Sequence, residues 1–79
     1  TWPNNDKAIK YFTKAVQTGD ATPLQQVYLA KALLEGGYMD TAKKTLLRLI
    51  KLEPIIDNYI EDLYYINDAK SLYDKNFNI

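Results

Sequence analysis

A chain of 79 residues, 47% hydrophobic and carrying ten basic against ten acidic side chains, has room for one small domain and shows no charge surplus. The balance argues against a nucleic-acid binder dominated by phosphate contacts, whose domain is normally clearly basic. With no cysteine and no histidine, a disulfide scaffold, most metal sites and most nucleophile and base pairs are excluded as well.

Asn4 or Asn5 is placed to cap a first helix, with Asp6 near its positive end. Ala8, Ile9, Tyr11, Phe12, Ala15 and Val16 then recur at helical intervals, while Lys7, Lys10 and Lys14 form a solvated opposite face. Gly19 ends this helix. The second begins at Thr22-Pro23-Leu24-Gln25, which reads as a capping box with proline where its missing N–H costs nothing. It runs to about Glu35 and is apolar nearly all round, through Leu24, Val27, Tyr28, Leu29, Ala30, Ala32, Leu33 and Leu34. A helix of that kind is covered on more than one side.

Gly36 and Gly37 break it and fold the chain back, so that Thr22 to Pro54 reads as one helical hairpin. The third helix, from Met39 or Asp40 to Leu52, buries Ala42, Leu46, Leu49 and Ile50 and turns Lys44, Arg48 and Lys51 outward as a convex, solvated face. Pro54 closes it. A fourth helix starts at Ile56 or Asp57 and runs through Tyr73, with Ile60, Leu63 and Tyr64 as its packing face and Glu61, Asp62, Asp68 and Asp74 on the wetted side. Tyr65 turns toward Glu61 and Asp68 and is the tyrosine of this helix expected to make an outside contact. The tail from Lys75 to Ile79 is expected to fray.

Within the hairpin, Gln26, Leu29, Ala30 and Leu33 share a face of the first helix, and Gly37, Met39, Ala42, Leu46, Leu49 and Pro54 follow at the turn, along the second helix and at the close. This arrangement resembles a tetratricopeptide repeat. Ala8, Phe12 and Ala15 repeat the small, large, small spacing upstream, and the interval from Ala8 to Ala42 is 34 residues, the period of that repeat. The spacing of the family is kept, whereas Gln26, Leu33, Met39 and Leu49 depart from its commonest residue types. Asn67 stands where a large packing residue belongs, and no glycine turn follows it.

The resemblance implies an all-α fold of about four helices, in antiparallel hairpins of a right-handed superhelix. It divides the single domain 1–79 into a partial repeat at 5–20, a full repeat at 22–55 and a C-terminal capping helix at 56–74. Since stacked repeats generally need roughly three units to close a core, a piece of a longer solenoid is expected. The resemblance also implies a concave groove lined by Leu24, Val27, Tyr28, Lys31 and Glu35, joined by Tyr65, that holds a peptide or a helix of another protein. A carboxylate clamp is disfavoured, because Leu24 and Val27 occupy places where a clamp wants lysine and asparagine.

Ser71 is the only serine and has no base beside it, Glu61 and Asp62 point to different faces of one helix, and there is neither a phosphate loop nor a calcium loop. No enzyme activity, metal or cofactor is expected within these residues. No apolar run approaches the roughly 18 residues of a membrane span, so no membrane insertion is expected. The charges are unevenly distributed: residues 1–52 hold eight Lys/Arg and four Asp/Glu, residues 53–79 two and six. The expected function is a scaffold module that binds a protein or peptide. The alternatives are a self-associating structural segment, whose opposite charges bring copies together, and an accessory domain of an enzyme.

Overall fold

The computed structural model describes residues 5–77. It is all-α, with four helices: α1 (Asn5–Gln17), α2 (Pro23–Gly36), α3 (Met39–Ile50) and α4 (Tyr59–Phe77). A short 3-10 turn, Ile56–Asn58, leads into α4. No strand occurs among the described residues.

Local chemistry sets the boundaries. At the start of α2, the Gln25 amide donates to Thr22 Oγ1 at 3.2 Å and the Thr22 amide to Gln25 Oε1 at 3.0 Å, completing the capping box with Pro23 in the first turn. At its end Gly37 adopts φ +84°, the Gly37 amide reaches Leu34 O and the Tyr38 amide reaches Leu33 O at 2.9 Å. The first helix closes in the same way, around Gly19 at φ +78°, with the Asp20 amide on Ala15 O at 3.0 Å. Both glycines adopt the left-handed conformation that lets the last carbonyls of a helix find donors. Asn5 is itself the first described helical residue, and the alternative cap Asn4 lies outside the described residues.

The helices alternate in direction. The Asn5 side chain, at the start of α1, donates to Ala32 O near the end of α2 at 3.0 Å. Lys43, early in α3, lies 6.0 Å from the ring centre of Phe77 at the end of α4. Two clusters form the core, and α2 contributes to both. Val27, Ala30, Leu46, Leu49, Ile66 and Ala69 join α2, α3 and α4, while Leu29, Leu33 and Ala42 hold Ile9, Phe12 and Val16 of α1. That double duty is why α2 is apolar nearly all round. Ala30, Ala42 and Ala69 are fully buried, so small side chains sit where helices press together.

The structure corrects the sequence reading of α3 and α4. The third helix stops at Ile50, and the amides of Lys51 and Leu52 tighten onto Arg48 O and Leu49 O ahead of Pro54. The face of α4 is turned. Ile60, Leu63 and Tyr64 point outward, with Ile60 84% exposed, while Ile66, Ala69, Leu72, Tyr73 and Phe77 pack inward with Tyr65. At about 100° per residue, a face set by Ile66, Ala69 and Tyr73 runs back through Asp62 and places Ile60 and Tyr64 on the far side. Asp62, expected in water, is accordingly buried, and its carboxylate accepts the Ile55 amide at 3.0 Å, tying the connection to α4. The expected fraying from Lys75 is also corrected as far as Phe77, which is helical and packs against both clusters; residues 78 and 79 lie outside the described residues.

Candidate functional site

Leu24, Tyr28, Lys31 and Glu35 recur at intervals of four, three and four, which places them in one line along α2, away from Ala30 and Leu33. Glu35 and Tyr28 are exposed, and Leu24 and Lys31 are half-buried. Val27 does not belong to this line. It is fully buried in the cluster with Leu46 and Ile66, because α4 lies on that flank of α2, and the expectation that Val27 faces a groove is corrected.

Each border of the line is built by another helix. On the α4 side, Lys31 Nζ meets Asp68 Oδ2 at 3.4 Å. A pair as exposed as this one contributes only about 0.2–1 kcal/mol, so its effect is to orient Lys31 across the seam. Lys31, expected to line the groove, is therefore already engaged by Asp68. Tyr65, next along this border, is half-buried and packs against the core cluster of Val27, so most of its ring serves the α2–α4 seam. Its hydroxyl is held above the ordinary tyrosine range, first by desolvation and then by Tyr28, Glu61, Tyr64 and Asp68 nearby. Both Tyr28 with Tyr65 and Lys31 with Asp68 pair α2 with α4 at the same sequence offset, so these two helices run parallel.

The α1 border contributes Tyr11 and Phe12. The rings of Tyr11 and Phe12 lie 5.2 Å apart edge to face, those of Phe12 and Tyr28 6.1 Å apart, and those of Tyr64 and Tyr65 5.0 Å apart edge to face. Aromatic side chains from α1, α2 and α4 thus cross one face of the molecule. Beside the Leu24 end of the line are two open depressions. One, of about 410 Å³, is lined by Leu24, Asn58, Glu61 and Tyr65 among others, and one, of about 470 Å³, by Tyr11, Lys14, Thr18 and Gln25 among others. Asp20 borders both.

Sequence reasoning overlooked Tyr11 and Tyr64 as members of this face. The spacing of Tyr11 suggests the packing stripe of α1, yet it is 65% exposed. The signal was present, since the Phe12 face is set by Ile9, Phe12 and Val16 at intervals of three and four, and Tyr11 falls a quarter-turn outside it. Tyr64, expected in the core together with Ile60, faces outward with it for the same reason, the orientation of α4.

Among the described residues no group of three acidic side chains forms a metal-sized cluster, and no described helix is long and apolar enough to cross a membrane. Comparison of the chain with protein-family models, with curated proteins and with solved structures finds no match in any of the three.

Proposed function

We propose that the chain is a protein–protein interaction scaffold, a tetratricopeptide-like right-handed array of helical hairpins that holds a peptide or a helix of a partner protein on the open face of α2 within a larger assembly. The observation that carries this reading is the line of Leu24, Tyr28, Lys31 and Glu35 between the rings of Tyr11 and Phe12 on one border and of Tyr64 and Tyr65 on the other. Tyrosine brings a large contact area with a polar end and few torsions to immobilise, which is why it recurs at binding surfaces. The alternation of antiparallel neighbours with the parallel pair α2 and α4 agrees with stacking of equivalent helices in a repeat array.

In this reading Leu24 and Tyr28 are anchors and Val27 is core. Tyr65 contributes its exposed edge, and Lys31 orients the partner only by sharing or exchanging Asp68. A random peptide library displayed on phage tests the face. Peptides enriched on the intact chain should bind the variant Leu24→Ala/Tyr28→Ala at least about tenfold more weakly, the loss expected of one or two anchors, while the melting temperature stays the same. Equal affinity for the variant, or no enrichment at all, overturns the proposal.

A further inference from the structure

Among the described residues, the most exposed large hydrophobic side chains lie in the first turns of α4 and the connection before them. Ile56 is 86% exposed, Ile60 84% and Tyr64 66%, with Leu63 beside them at 37%. Ile60, Leu63 and Tyr64 follow a spacing of three and one along the side of α4 away from Ala69 and Tyr73, and Ile56, in the 3-10 turn ahead of α4, lines the same depression as Ile60 and extends the stripe. A depression of about 290 Å³ opens in this stripe, lined by Ile56, Asp57, Asn58, Tyr59, Ile60 and Glu61. Asp57 and Glu61 are exposed, stand one helical turn apart and have no ion-pair partner among the described residues.

An aliphatic stripe rimmed by unpaired carboxylates selects its own cover. An anionic membrane surface is repelled by such a rim. A second copy joined through the same face would set Asp57 and Glu61 of one chain against those of the other. The complement is a surface that is both aliphatic and cationic. We propose that this face is a second docking surface, and that it takes an amphipathic helix of another protein whose aliphatic stripe is bordered by lysine or arginine. The stripe of that helix covers Ile56, Ile60, Leu63 and Tyr64, and its cations reach Asp57 and Glu61, with their stems lying along the isoleucines. Tyr64 and Glu61 stand on the border that this surface shares with the line on α2, so the variants that tell the two apart are Ile60→Asp for the stripe and Tyr28→Ala for the line.

Two labelled synthetic peptides of about 18 residues, or five helical turns, provide the probe. Both carry leucine at helical spacing, one with lysine and the other with glutamate at the remaining positions, and binding to the intact chain is read by fluorescence anisotropy. The lysine peptide should bind at least about tenfold more tightly than the glutamate peptide, and Ile60→Asp should weaken it by about tenfold or more, as expected for a central anchor. Asp57→Lys with Glu61→Lys should reverse the preference between the peptides, and Tyr28→Ala should leave it unchanged. Asp57, Ile60 and Glu61 are all exposed, and circular dichroism checks that each variant is folded. Affinity retained in Ile60→Asp, or lost in Tyr28→Ala, overturns the proposal. So does a dimer of the free chain in sedimentation, or binding to phosphatidylserine vesicles, if Ile60→Asp abolishes it.

Discussion

Replacing Leu46 with alanine is expected to remove about 2–5 kcal/mol of stability, the range for deleting a large buried aliphatic side chain. Leu46 is fully buried where α2, α3 and α4 meet, among Val27, Ala30, Leu49, Ile66 and Ala69. The loss has two parts. The removed methyl groups forfeit their transfer free energy, and the cavity they leave closes only in part, because its walls belong to three helices tied by separate connections. A small domain holds about 5–15 kcal/mol in total, so the variant should unfold at far lower urea than the parent. Lys44→Leu on the outer face of α3 should stay within about 0.5 kcal/mol. Urea melts followed by circular dichroism decide it: a cost below about 1 kcal/mol for Leu46→Ala would mean that the core is centred elsewhere.

The second large effect discriminates between the two orientations of α4. Ile66→Ala should cost about 2–5 kcal/mol, whereas Ile60→Ala, at a position 84% exposed, should stay within about 0.5 kcal/mol. Both substitutions remove the same atoms from the same helix, so propensity changes cancel and only burial separates them. The sequence reading that put Ile60, Leu63 and Tyr64 inside requires the opposite ranking. Should Ile60→Ala prove the more costly in the same urea melts, the rotation described for α4 is wrong.

The elements whose limits depend on neighbouring residues were legible before any coordinates. Thr22 and Gln25 announce the start of α2, and Gly19 and Gly37 announce two helix ends, because the chemistry that terminates a helix acts within a few residues. The burial of Leu29, Ala30 and Leu33 was legible because a helix apolar nearly all round is covered on more than one side, and that of Ala42, Leu46 and Leu49 because α3 has only one apolar side to choose. The fourth helix offers two. Ile60, Leu63 and Tyr64 make one apolar stripe and Ile66, Ala69, Tyr73 and Phe77 another, and hydrophobicity alone does not choose between them. What selects the second is tertiary. A buried carboxylate at Asp62 is tolerated because the Ile55 amide needs an acceptor there, and no local pattern announces that need.

The candidate face divides in the same manner. Leu24, Tyr28, Lys31 and Glu35 share one line whatever surrounds α2, so spacing alone assembles them. Val27 and Tyr65 depend on where α4 lies, and spacing does not say which flank of α2 it covers. Lys31 looked available until Asp68 was brought beside it. The contribution of Tyr11 was hidden for a further reason, since it joins the face only through Phe12, across the seam between α1 and α2.

One attachment in the fold is slighter than the rest. The backbone of α1 approaches that of α2 alone, and no residue of α1 is fully buried. Its amide protons should therefore exchange with deuterium through a local opening well below the free energy of global unfolding, whereas those of α2 should wait for the whole domain to open. Such an opening carries Tyr11 and Phe12 away with α1 and so removes one wall of the α2 face. A ligand that uses that wall must hold α1 shut, and it should slow exchange along α1 even at amides it never touches.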